Sequence, residues 1–196
     1  MEKLSSEQSE TSDRVLEFDL SAELRHGIAV SNLAYALSKE LGLPHEQCYD
    51  LAIAGMLHDI GKLKLRSYIN GQESNPMVIE ELKYVRMHST LGYEELKDQG
   101  YSDFVLESIL YHHENYDGSG YPSNLAGKEI PIGARILRVC DVFCALSQER
   151  SYRKAFDKQS AVQMMIEEIK DFDVKVFLAF QRMIHKNKEK EITLWH

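Results

Sequence analysis

Three features of the sequence predict an all-α fold, a helical bundle of about seven helices. Apolar residues recur at helical spacing along most of the chain, Gly and Pro fall between those stretches, and no strand-like alternation lasts more than a few residues. With 196 residues and 43% hydrophobic composition, the chain suffices for one good-sized domain with its own core. That domain is placed at residues 21–188, between a polar, acidic tail or linker (1–20) and a short C-terminal tail (189–196).

Composition narrows the function classes. No apolar run approaches the roughly 18 residues of a membrane helix. Residues 1–10 also lack the apolar core of a signal peptide, so a cytoplasmic protein without membrane insertion is expected. Cys48, Cys140 and Cys144 are odd in number and lack CxxC spacing, which suits small core residues in a reducing compartment. A formal charge of -8 argues against polymeric nucleic acid as a partner, because backbone affinity comes from excess Lys and Arg. A small anion remains open if metal ions make the pocket locally positive.

In chain order, Ser21 is a candidate cap for a helix running to Leu41, with Leu24, Ile28, Leu33 and Leu37 at helical spacing and Gly42 as its stop. His26 lies on it. Pro44 suits the first turn of the next helix, which runs from Cys48 to about Gly61 and delivers His58-Asp59 at its end. Leu63 to Pro76 reads as a loop. Helical periodicity resumes at Met77 and places His88 inside that helix, and Gly100 breaks it. Ser102 can cap a short helix whose end presents His112-His113. An ordered loop rich in Gly, Asp and Pro follows, to Pro131. The helix Ile132 to Leu146 buries Asp141 among apolar neighbours, where an unpaired carboxylate would be costly. Amphipathic helices at about Ser160–Ile169 and Asp173–Lys188 complete the pattern.

His58-Asp59-Ile60-Gly61-Lys62 sets an imidazole, a carboxylate and an ammonium among apolar residues. Alone it reads first as a hydrogen-bonded pair at a helix end, and only with the rest of the chain as two groups flanking one metal or as Asp59 bridging two. The rest of the chain supplies His26, His88, His112, His113 and Asp141, each at a helix interior or end. His45, His185 and His196 are read as surface residues. Imidazoles with carboxylates suit Fe, Mn, Zn or Ni rather than Mg or Ca. Seven such groups exceed the needs of one ion and suit two divalent transition metal ions sharing Asp59. Two ions can hold and activate a bridging hydroxide for in-line attack on a phosphodiester, with Lys62 neutralising the phosphate oxygens.

These residues, with the unbroken run His112-His113-Glu114-Asn115-Tyr116-Asp117-Gly118-Ser119-Gly120-Tyr121-Pro122 and with Arg150-Ser151-Tyr152-Arg153 after Asp141, resemble the HD-GYP branch of the HD phosphohydrolase superfamily across about residues 22–180. The resemblance implies an HD-domain helical bundle with a dinuclear or trinuclear centre, often iron or manganese, that hydrolyses cyclic di-GMP to pGpG and on to GMP. It implies His26, His58, Asp59 and Asp141 around one metal and Asp59, His88, His112 and His113 around the other. It also implies Lys62 on the scissile phosphate, Gly120-Tyr121-Pro122 lining the cleft, Arg150 and Arg153 on the dinucleotide, and ring faces from Tyr121 and Tyr152 for its bases. An upstream sensor or receiver domain is a further implication, and a homodimer is left open.

Four departures from the family pattern stand out. Members with three metals carry a glutamate one turn before the first His; here Ala22 holds that place and Glu23 is expected to be rotated off the face, which favours two metals. Cys144 stands where a second aspartate is usual, Ser151 where Pro is frequent, and Lys64-Leu65-Arg66-Ser67 where Ile-Pro-Asp commonly follows the HD motif. The competing readings are a cyclic-dinucleotide receptor without turnover and an HD nucleotidase acting on another nucleotide.

Overall fold

The computed structural model describes residues 20–64, 86–149 and 153–189, with side chains through 186. Among these residues there are seven α-helices and no strand. They are α1 (Leu20–Glu40), α2 (His45–Leu57), α3 (His88–Leu96), α4 (Asp103–Leu110), α5 (Ile132–Ser147), α6 (Lys158–Glu167) and α7 (Val174–Glu189).

Local chemistry sets the boundaries. Gly42 and Gly100, at φ +75° and +82°, end α1 and the turn after α3 in a conformation that side-chain-bearing residues avoid. Ser102 caps α4 as expected, its hydroxyl accepting from the Val105 amide at 3.2 Å. Three starts differ from expectation. Helix α1 already includes Leu20, so Ser21 lies inside its first turn. Pro44 is the N-cap of α2 rather than a member of its first turn. Helix α6 is capped by Asp157, whose carboxylate accepts from the Gln159 and Ser160 amides at 2.9 and 3.0 Å, which draws Ser160 into the helix.

Helix α5 is the hub, packing on α1, α2, α4, α6 and α7, while α1 also packs on α2 and α7. Ile136, Leu137, Val139, Cys140, Phe143 and Cys144 of α5 meet Val30, Leu33 and Leu37 of α1 and Phe177 and Phe180 of α7. Each large apolar side chain removed from water here contributes about 1.5–3 kcal/mol. The buried stripe of α1 passes through His26, Val30, Leu33 and Leu37, which leaves Leu24 and Ile28 facing outward, at 47% and 52% exposure. All three cysteines are free and buried, as expected.

The HD pair also sits differently. Helix α2 stops at Leu57, so His58-Asp59-Ile60 form a turn that leads into a helical turn at residues 61–64. Leu63 and Lys64 are therefore not loop. His88 opens α3 directly after Met87, a turn residue with helical dihedrals that follows helical Arg86, and the expected helix start at Met77 lies outside the described residues. The expectations for 65–85, for Arg150, Ser151 and Tyr152, and for His196 fall outside the described residues.

Candidate metal centre

Buried polar side chains collect at one place in the bundle. His26 comes from α1, His58 and Asp59 from the turn after α2, His88 from the start of α3, His112 and His113 from the turn after α4, and Asp141 from α5. All seven expected metal-site residues are thus brought together. Gly61 makes the α3 approach feasible, since a Cβ there would overlap the His88 carbonyl oxygen and lie 2.7 Å from the Gly92 amide nitrogen.

Asp59 lies at the middle. Its Oδ2 is 3.2 Å from His58 Nε2 and 4.0 Å from His26 Nε2, and its Oδ1 is 3.2 Å from His88 Nε2. Asp141 Oδ1 is 2.9 Å from His26 Nε2 and 3.7 Å from His58 Nε2. His88 Nε2 in turn lies 3.3 Å from His112 Nε2 and 3.1 Å from His113 Nε2. The outer nitrogens fix the tautomers: Nδ1 of His58 donates to the Gly55 carbonyl at 2.8 Å and Nδ1 of His112 to that of Ile109 at 2.6 Å. Both rings therefore turn Nε2 inward, and His58 Nε2 is fully buried with no partner in hydrogen-bond geometry.

This donor set fits transition metal ions. Two donors about 2.1 Å from one ion, at octahedral to tetrahedral angles, lie about 3.0–3.4 Å apart, which matches the His88, His112 and His113 spacings. Among the described residues three groups have donors within 4.8 Å of one another: His88-His112-His113, His26-His58-Asp59, and His58-His112-Asp141, the last spanning the other two. Carbonyl-anchored imidazoles are the usual support for such ligands.

The electrostatics call for positive charge. Burial pushes Asp59 up, but His58, Lys62 and His88 hold it well below the carboxylate range. Burial likewise opposes ionisation of Asp141, and the bond from His26 with the nearby His58 overcomes it. Burial lowers His58, yet Asp59 and Asp141 outweigh that and raise it to about 10. His112 and His113 are lowered, foremost by burial, His113 to about 3.

Lys62 Nζ contacts Asp59 Oδ2 at 2.6 Å and Glu23 Oε2 at 3.2 Å. Glu23 is therefore not turned away from the site: one turn before His26, its carboxylate reaches the lysine beside Asp59. Gly120 is buried, and Tyr121 donates its amide to the His113 carbonyl at 3.2 Å, whereas Pro122 is exposed. The Tyr121 ring stacks on His113 at 4.8 Å, with the Arg86 guanidinium 5.5 Å from its centroid. One face of that ring thus buttresses a candidate ligand. Arg153 also differs from expectation. It donates to the carbonyls of Ala145, Leu146 and Lys154 and lies over Phe156, an anchor for the end of α5 rather than a free cation.

Sequence reasoning missed two supporting residues. Gln148 Oε1 accepts from His26 Nδ1 at 3.0 Å; its spacing of seven residues from Asp141 on one helix face was the available signal. Glu114 is buried and accepts from the Ser123 and Leu125 amides at 2.6 and 3.2 Å, fastening the Gly120-Tyr121-Pro122 loop. His45 and His185 lie on the surface, as read from the sequence.

Residues 5–176 match the HD domain family. The chain belongs to that family. This HD domain is 36% identical to a cyclic di-GMP phosphodiesterase of Pseudomonas aeruginosa, over 81% of this chain and 38% of that protein. It is 36% identical to a 3'3'-cGAMP-specific phosphodiesterase of Vibrio cholerae, over 74% of this chain and 33% of the relative. The chain thus spans well under half the length of these relatives. Among solved structures, a protein of Bdellovibrio bacteriovorus described as HDG"Y"P aligns with a TM-score of 0.66 at 21% identity, over 87% of this chain and 55% of that one. The HD domain of the Listeria monocytogenes phosphodiesterase PgpH, in complex with cyclic-di-AMP, aligns with a TM-score of 0.57 at 15% identity, over 88% and 93% of the two chains. At such identities the two structures speak for the fold alone. No helix among the described residues of this HD domain is long and apolar enough to cross a membrane.

Proposed function

We propose that this HD domain, of the HD-GYP type and spanning residues 21–188, is a metal-dependent phosphodiesterase that hydrolyses cyclic di-GMP to pGpG and GMP. The observation that carries the reading is the Asp59 carboxylate, with one oxygen 3.2 Å from His58 and the other 3.2 Å from His88, a side chain shaped to serve two ions. The activity named for the relatives in Pseudomonas aeruginosa and Vibrio cholerae supports cyclic dinucleotides as the substrate class.

His26, His58, Asp59 and Asp141 would hold one divalent ion and Asp59, His88, His112 and His113 the other. Imidazoles with carboxylates suit iron, manganese, zinc or nickel, and the family resemblance favours iron or manganese among them. Such ions supply an acidified water and charge for the phosphoryl oxygens. The chain's own part is orientation and charge. Gly55, Ile109 and Gln148 fix the outer ring nitrogens of His58, His112 and His26. Lys62, held by Asp59 and Glu23, supplies a cation for a phosphate bound at the centre. Burial excludes bulk water and strengthens these interactions. Glu114 fastens the Gly120-Tyr121-Pro122 loop as one wall. Arg150 is a further candidate for the dinucleotide, and a sensor or receiver partner rests on the resemblance alone.

The test is incubation of anaerobically purified, metal-assayed protein with cyclic di-GMP under Fe(II) and under Mn(II), with products separated by chromatography. Appearance of pGpG or GMP is expected. Intact substrate under both metals, with both sites loaded, would overturn the assignment.

A further inference from the structure

Three arginines belong to the surroundings of α5, and the protein uses up two of them. Arg135 donates to the Ile130 carbonyl at 2.9 Å and to Asp173 at 2.6 Å, while Arg153 is engaged by three carbonyls. Arg138 makes no hydrogen bond to any described residue. Its Nε is buried without a partner, its terminal nitrogen is 3.7 Å from Asp171 Oδ2, and its guanidinium lies 6.0 Å from the Phe172 ring centroid. The side chain keeps 19% of its surface exposed. A guanidinium carries five donors in a planar fork, and leaving buried ones idle costs about 1–3 kcal/mol each.

The position links this fork to the site. Arg138 precedes Asp141 by three residues on α5, so both lie on one helix face. Asp171 and Phe172 brace the guanidinium, and the Asp171 carbonyl accepts from the Tyr116 amide at 2.9 Å, which ties this brace to the segment carrying Tyr121. Lys62, beside Asp59, is placed for a phosphate at the centre itself, and Arg153 is committed to α5.

We propose that Arg138 is a substrate-binding residue whose fork donates to acceptors of the cyclic dinucleotide away from the scissile phosphodiester. Two parts of that ligand offer paired acceptors of matching geometry: the second phosphate, and the O6/N7 edge of a guanine. The inference rests on the phosphodiesterase reading above and names a contact that reading lacks.

Arg138→Ala and Arg138→Lys, prepared as the full chain loaded with manganese, test it. For Arg138→Ala, kcat/KM on cyclic di-GMP falls about tenfold or more through KM, with metal content retained, and Lys restores only part because it lacks the fork. The loss is smaller on bis(p-nitrophenyl) phosphate, which has neither a second phosphate nor a base. An equal loss on cyclic di-AMP assigns the contact to phosphate, and a loss confined to cyclic di-GMP assigns it to guanine. An unchanged KM, or an equal loss on bis(p-nitrophenyl) phosphate, overturns the proposal. Calorimetric binding of cyclic di-GMP to both proteins separates the two claims. If the wild type binds without cleaving, the phosphodiesterase reading falls, while a weaker Arg138→Ala complex still upholds the contact. If the wild type neither binds nor cleaves, both fall.

Discussion

Nε2 of His88 faces Nε2 of His112 at 3.3 Å, and the Nδ1 of His112 donates to the Ile109 carbonyl at 2.6 Å. The His112 nitrogen that faces His88 is thus left with a lone pair, in a place burial keeps from bulk water. A cation between the rings would satisfy that lone pair, and His113 Nε2, 3.1 Å from His88, completes a three-nitrogen set.

Removing the shared carboxylate should empty both sites. Asp59→Ala is expected to lower bound metal from about two ions per chain to well under one, and to abolish hydrolysis. Elemental analysis beside a turnover assay checks this, and wild-type metal content in the variant would contradict the bridging role.

Metal affinity should rise with pH. The His58 pKa is raised from 6.5 to about 10, burial pulling it down and Asp59 and Asp141 outweighing that. In the metal-free fold, the stabilisation from that proton is complete below 6.5 and is lost as pH rises through about 10. An ion must displace the proton from Nε2, so affinity climbs across this window and binding releases protons. Calorimetry in buffers of differing ionisation enthalpy measures the release. A flat affinity between about pH 6 and 9 would rule the competition out.

Gly61 tolerates no side chain. A Cβ there would overlap the His88 carbonyl, so Gly61→Ala should destabilise by about 1–3 kcal/mol and push His88 away from Asp59. The expected signature is a lower melting temperature together with weaker metal binding, and neither change would mean α3 can yield freely.

Glu114 holds the loop with two backbone bonds. Gln in its place keeps one acceptor and introduces a donor, so Glu114→Gln should cost about 1.5–3 kcal/mol, seen by denaturant titration. The same loop carries Tyr121 against His113, so weaker metal retention should accompany the loss. A melting curve identical to wild type would remove Glu114 from this role.

Arg153 should behave as a structural residue. Its bonds to Ala145, Leu146 and Lys154 carbonyls predict that Arg153→Ala lowers stability by about 1–2 kcal/mol. KM for cyclic di-GMP should move far less than in Arg138→Ala. A raised KM at unchanged stability would return Arg153 to the substrate.

What the sequence determined by itself was local or compositional. Helical periodicity, the Gly42 and Gly100 stops and the Ser102 cap are properties of neighbouring residues, and they hold in the fold. The seven candidate metal-site side chains were legible because imidazoles and carboxylates set among apolar residues need partners wherever the chain takes them. Tertiary packing decided what depends on distance along the chain. Which arginine is taken up by carbonyls and which keeps a buried Nε without a partner, which carboxylate reaches Lys62, and which glutamine holds His26 from 122 residues away are set by how α1, α5 and the loops cross. Periodicity fixes the face a residue occupies, but only the packed helices fix what stands opposite it.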